Sequence, residues 1–134
     1  LEPVDRALAR KIAATTLRVL DLVEHDADLR GRVHDNARHF RAGLTAAGFT
    51  LKPGEHPIIP VMIGDAALAA RVAERLLDEG IYVIGFSYPV VPLGQARIRT
   101  QMSSALNRDD LDRAIAAFTR VGRELGLLPT GAPR

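Results

Sequence analysis

The stretch Gln95–Met102 alternates without a break. Ala96, Ile98, Thr100 and Met102 fall on one side, and Gln95, Arg97, Arg99 and Gln101 on the other. Successive side chains of a strand point to opposite faces, so this pattern specifies a strand with one face buried and one open. A single strand needs partners, and two short apolar runs rich in β-branched residues offer them: Ile58–Ile63 and Ile81–Gly85. The Gly85–Gly94 segment is too short for a crossover helix, so the strands it joins run antiparallel. Pro60 cannot donate to a ladder, which puts its strand at a sheet edge or a bulge.

The remainder reads as helix. Leu8, Ile12, Thr16, Val19 and Val23 recur at helical steps, as do Leu29, Val33, Phe40 and Leu44. Between these runs, residues 25–28 form a turn with Asp26 or Asp28 as cap, and Gly48 ends the second run. Asp65 caps a helix over Ala66–Glu79 that stops at Gly80. Asn107 caps the last helix, whose stripe is Leu111, Ala114, Ile115, Phe118, Val121 and Leu125. The order α-α-β-α-β-β-α predicts an α/β (α+β) fold: a small three-stranded, mainly antiparallel sheet with helices on one face.

Composition narrows the chemistry. With 134 residues the chain is long enough for one domain with its own core. It has no cysteine, which excludes disulfides, thiolate catalysis and cysteine metal sites. A net charge of +2 does not point to nucleic acid, and no apolar run is long enough to span a bilayer. No secretory leader is recognised, so the expected location is cytoplasmic. His34 and His39 are five residues apart, unlike a helical metal pair, and no metal site is expected. Only Lys11 and Lys52 supply amines, against sixteen arginines.

Two features stand apart. The Gly85–Gly94 loop carries Phe86, Tyr88, Val90, Val91 and Leu93, which must pack on something: their own sheet, a partner, or a ligand. Arg97 and Arg99 lie on the open side of one strand, as guanidinium forks for a carboxylate or phosphate, or as solvated or salt-bridged surface groups.

Several segments together resemble a known family: Ala46–Leu51, His56 with Ile58–Met62, Gly80–Val83, Gly85-Phe86, Tyr88–Pro92, Gly94–Ser103 and Ala114–Gly126. They are similar to the C-terminal domain of the pyridoxal-phosphate α-oxoamine synthases, specifically the glycine C-acetyltransferase (2-amino-3-ketobutyrate CoA ligase) branch. The resemblance runs from about Ala13 onward. It implies the small domain of a fold-type-I pyridoxal-phosphate enzyme, occupying residues 1–134, with the large cofactor-binding domain absent. The complete enzyme is a homodimer that condenses glycine with acetyl-CoA to 2-amino-3-oxobutanoate, in the breakdown of threonine.

By the same resemblance Arg99 matches the arginine that binds the substrate carboxylate, and Arg97 does not. The lysine that holds the cofactor, the aromatic that stacks on it and the phosphate loop belong to the large domain. No catalytic or cofactor-binding residue is therefore expected here, and this chain alone is expected to be inactive and to bind no pyridoxal phosphate. Leu106 stands where the family usually carries histidine. The alternatives are a free-standing or degenerate α/β binding module without activity and, more weakly, a nucleic-acid-binding sheet, which Tyr82 and Phe86 serve poorly.

Overall fold

A computed structural model describes residues 3–129. The element order is α1 (Pro3–His25), α2 (Ala27–Ala47), β1 (Ile58–Gly64), α3 (Ala66–Asp78), β2 (Ile84–Phe86), β3 (Ala96–Gln101) and α4 (Arg108–Glu124). The sheet is antiparallel throughout, in the order β1-β3-β2. The α+β class with a three-stranded antiparallel sheet is as expected from the alternation and the short connections.

The chain divides into two units, Leu1–Arg32 and Val33–Arg134, with the boundary inside α2. In the first, Asp26 interrupts the helix: its carboxylate accepts the backbone N–H of Leu29 at 3.0 Å and so caps α2. The apolar stripe of α1 is exposed at Leu8, Ile12, Val19 and Val23. The periodicity that predicts this helix gives it an apolar face but does not supply the surface that covers it.

The second unit holds the core. Ile59 and Val61 of β1 and Ala96, Ile98 and Thr100 of β3 turn inward against Phe40 and Leu44 of α2, Val72 and Leu76 of α3, and Leu111, Phe118 and Val121 of α4. Phe118 meets Phe40 and Phe49 edge-on, with ring centroids 5.9 Å apart in each pair. Thr100 is a buried polar residue of this layer, and its hydroxyl donates to the Ile59 carbonyl at 2.8 Å.

Pro60 lies on the edge strand. Its carbonyl accepts the Lys52 N–H at 3.0 Å, away from β3. The donor that proline lacks would have faced the same outer side, so the ladder to β3 loses nothing. Asp65 caps α3 by accepting the Leu68 N–H, and Asn107 and Asp110 form a reciprocal capping box on α4. Arg75 of α3 forks onto Glu124 of α4 with two hydrogen bonds of 2.9 Å, and Arg120 pairs with Glu79 at 2.6 Å.

Two sequence assignments are corrected. The second strand spans Ile84–Phe86, not Ile81–Gly85. The Ile81 N–H closes the end of α3 on the Leu76 carbonyl, with Gly80 at φ +79°. Pairing with β3 begins only where Ile84 meets Arg99. On α4, Leu111, Phe118 and Val121 are buried as expected and Ala117 and Gly122 join them, while Ala114, Ile115 and Leu125 are only partly buried.

Candidate functional site

The face of the sheet opposite the helices carries two cross-strand rows: Pro60–Arg99–Ile84 and Met62–Arg97–Phe86. Cross-strand partners share a face, so this register sets both arginines on the open surface at the middle of the sheet. Arg97 is half-buried and Arg99 exposed.

The two arginines are held differently. Arg97 is bound back to its own strand: Nε donates to the Gln95 carbonyl at 3.1 Å and Nη2 to the Gln95 side-chain oxygen at 3.4 Å. Arg99 lies over the ring of Phe86, with Cζ 5.8 Å from the centroid. This is cation–π distance. No carboxylate is paired with Arg99 among the described residues, so its in-plane N–H donors remain available.

Beside Arg99, and extending from it to the start of α4, is a cleft of about 710 Å³. Tyr82, Ile84, Gln101, Leu106 and Arg113 help to line it. Its far wall is fixed by Asn36, a buried residue of α2 that donates to the carbonyls of Ser103 and Leu106 at 2.9 Å each. Asp110 belongs to this wall too. The backbone N–H of Asn107, and then the Arg113 guanidinium, hold its carboxyl below the usual range.

The loop after Phe86 turns through hydrogen bonds from Val90 and Val91 N–H to the Ser87 carbonyl. It leaves Tyr88, Val90 and Leu93 at 68%, 70% and 84% exposure. Of the readings open from sequence, packing on its own sheet does not describe these three side chains.

Arg99, singled out from sequence, therefore stands at the centre of the open face. Phe86 and Asn36 were not singled out for any such role. The sequence puts Phe86 one residue beyond the expected strand, and its place opposite Arg97 follows once the end of β2 is extended to it. Asn36 carried no local signal, because its partners lie 67 and 70 residues away.

An antiparallel three-stranded sheet with helices on one face is an α+β domain that also occurs as part of larger enzymes. The sequence profile of the aminotransferase class I and II family matches residues 4–118, and the chain belongs to that family. It is 55% identical over 122 residues to the 2-amino-3-ketobutyrate coenzyme A ligase of Salmonella typhimurium, covering 91% of this chain and 31% of that protein. The chain thus spans about a third of the length of the curated relatives it matches.

Among solved structures, the serine palmitoyltransferase of Sphingomonas wittichii superposes with a TM-score of 0.79 at 28% identity, over 87% of this chain and 29% of that one. A serine palmitoyltransferase variant from S. paucimobilis with a bound pyridoxal phosphate–myriocin aldimine superposes with a TM-score of 0.76 at 28% identity, over 81% of this chain and 28% of that one. Serine palmitoyltransferase structures among these neighbours hold pyridoxal phosphate, and that cofactor poses a test for this chain's own residues.

Holding pyridoxal phosphate covalently needs a placed lysine amine. Lys52 sits in the strip along the outer edge of β1, where its N–H binds Pro60 and its carbonyl accepts from Arg41. Lys11 belongs to α1 in the other unit. The open face itself carries arginines and no amine. These residues do not fit the aldehyde of the cofactor; the donors of Arg99 suit a carboxylate or phosphate.

Proposed function

We propose that this chain is the C-terminal small domain of a pyridoxal-phosphate-dependent acyltransferase, and that it contributes Arg99 as the residue binding the substrate carboxylate. The reaction is the condensation of glycine with acetyl-CoA to 2-amino-3-oxobutanoate. Identity to the ligases supports the reaction type. The observation that carries the role is the exposed guanidinium of Arg99, placed mid-sheet with no carboxylate partner among the described residues.

A planar fork clamps both oxygens of a carboxylate with two parallel N–H···O bonds. Fixing the carboxylate fixes rotation about the glycine N–Cα bond, and that decides which Cα bond is oriented for cleavage. The cofactor and its lysine are assigned to the large domain, which the complete enzyme supplies. The Tyr88–Leu93 loop is the surface on which that domain or a second subunit packs. A homodimer, a place in threonine breakdown and a cytoplasmic location belong to the same reading. Among the described residues no helix is long and apolar enough to cross a membrane.

The test is kinetic, in the full-length enzyme. Arg99→Lys keeps the charge but loses the fork, and should raise the half-saturating glycine concentration by about tenfold, the value of one charge-assisted bond. Arg97→Lys should change it less than about twofold, since Arg97 is already engaged by Gln95. Equal effects of the two substitutions would overturn the assignment.

A further inference from the structure

We infer that Phe86 is a positioning residue for Arg99, and through it a determinant of substrate affinity; this rests on the reading of Arg99 as the carboxylate clamp. An arginine standing free on an open sheet face has many rotamers, and fixing one of them opposes binding. The ring of Phe86 reduces that cost in advance. Arg99 Cζ stands over it, 5.8 Å from the centroid. The ring attracts the cation through its π face and supplies no lone-pair acceptor, so it holds the group while leaving N–H donors for a carboxylate. A carboxylate anchor would hold Arg99 more tightly, but it would occupy the donors that the substrate needs.

The placement follows from the hairpin. Phe86 is paired with Arg97, and Ile84 with Arg99, so Phe86 is the diagonal neighbour of Arg99 on the same face. Diagonal positions lie within reach of long and aromatic side chains. Arg97, the direct neighbour, is drawn away by Gln95. The ring is left to Arg99.

Two measurements test this. In the 134-residue chain, side-chain NMR of the arginine Nε–Hε groups should show the Arg99 signal displaced by the ring current of Phe86. Phe86→Leu should abolish the displacement and Phe86→Tyr should retain it, with the Arg97 signal little changed in both. In the full-length enzyme, Phe86→Leu should raise the half-saturating glycine concentration about two- to fivefold with kcat nearly unchanged, and Phe86→Tyr should restore it.

A Phe86→Leu enzyme with wild-type glycine affinity, beside an impaired Arg99→Lys enzyme, overturns the role of Phe86 and leaves Arg99 in place. If Arg99→Lys is itself silent, both assignments fall. Equal loss of affinity with leucine and with tyrosine means that Phe86 acts through the fold and not on the guanidinium, and overturns the inference. An Arg99 signal with no ring-current displacement does the same.

Discussion

Replacing Asn36 should destabilise the chain in a way that depends on what replaces it. Its amide donates two bonds of 2.9 Å, to Ser103 and Leu106, and so pins the segment between the end of β3 and the cap of α4. Each neutral hydrogen bond contributes about 1 kcal/mol, and a buried carbonyl left unpaired costs about 1–3 kcal/mol more. Ser103 is exposed, so water can replace the amide there, whereas Leu106 is partly buried. Asn36→Ala and Asn36→Leu should therefore both cost about 2–4 kcal/mol. That is a fall of about 1–2 M in the urea midpoint for a chain of this size.

Asn36→Asp separates bonding from packing, because shape is kept and donors become acceptors. A carboxylate facing two carbonyls is disfavoured, so the folded state raises the pKa of the introduced carboxyl above the unfolded value of about 3.9. The folded state then binds the extra proton, and the penalty grows as pH rises from that unfolded value toward the raised one. Urea unfolding between about pH 4 and 8 measures it. The gap between Asn36→Asp and the unsubstituted protein should widen with pH, while the gap for Asn36→Leu stays flat. An Asn36→Leu protein of unchanged stability, or an Asn36→Asp gap that does not move with pH, refutes the reasoning.

Gly122→Ala should lower thermal stability: an added Cβ would lie 2.6 Å from Phe49 Cζ and 3.0 Å from two Leu128 atoms. Overpacking of about 1–3 kcal/mol then outweighs the gain of about 1 kcal/mol in helix propensity, and an unchanged Tm would refute it. On acidification, part of the stability should be lost below the ordinary carboxylate range. Arg120 lowers the pKa of Glu79, and Arg75 that of Glu124, so their contribution is complete above that range and disappears as pH falls through the lowered folded-state values. Arg75→Ala should flatten this acid dependence by lowering stability modestly at neutral pH and converging with the unsubstituted protein in acid, and a gap that does not narrow as pH falls would contradict it. Serine at Tyr88, Val90 and Leu93 together should leave Tm nearly unchanged while reducing hydrophobic-dye binding and self-association; a large fall in Tm would show that the loop packs within its own unit.

What could be read in the sequence was whatever repeats locally. The alternation over Gln95–Met102 fixed both the buried row of Ile98 and Thr100 and the open row of Arg97 and Arg99, because a strand assigns faces by parity alone. Caps were equally legible, since Asp65 and Asn107 act on backbone groups three residues on. Illegible were the partners that folding brings from afar: Asn36 on Leu106, and Arg75 on Glu124, 49 residues distant. The start of β2 failed for another reason. Ile81–Val83 have strand propensity, but the backbone of Ile81 is used by the end of α3.

The different states of the two arginines were, in principle, within reach of the same parity rule. Residues two apart on a strand share a face, so the neighbour before Arg97 on the open side is Gln95, which offers a carbonyl and an amide oxygen. The neighbour before Arg99 is Arg97, whose side chain has no acceptor and whose backbone, unlike that of Gln95 just before β3, is paired with both flanking strands. One guanidinium is therefore satisfied within its own strand, and the next must look across the sheet, where the ring of Phe86 supplies a face but no acceptor. A strand written Gln-x-Arg-x-Arg thus leaves its second arginine with donors to spare. Exchanging the acceptor tests the step: Gln95→Leu removes the side-chain acceptor from Arg97 but keeps the backbone one, and should loosen Arg97 in side-chain NMR without moving the Arg99 signal. Loss of the Arg99 ring-current displacement in Gln95→Leu would show that the two arginines compete for Phe86, and that their separate states are not set strand-locally.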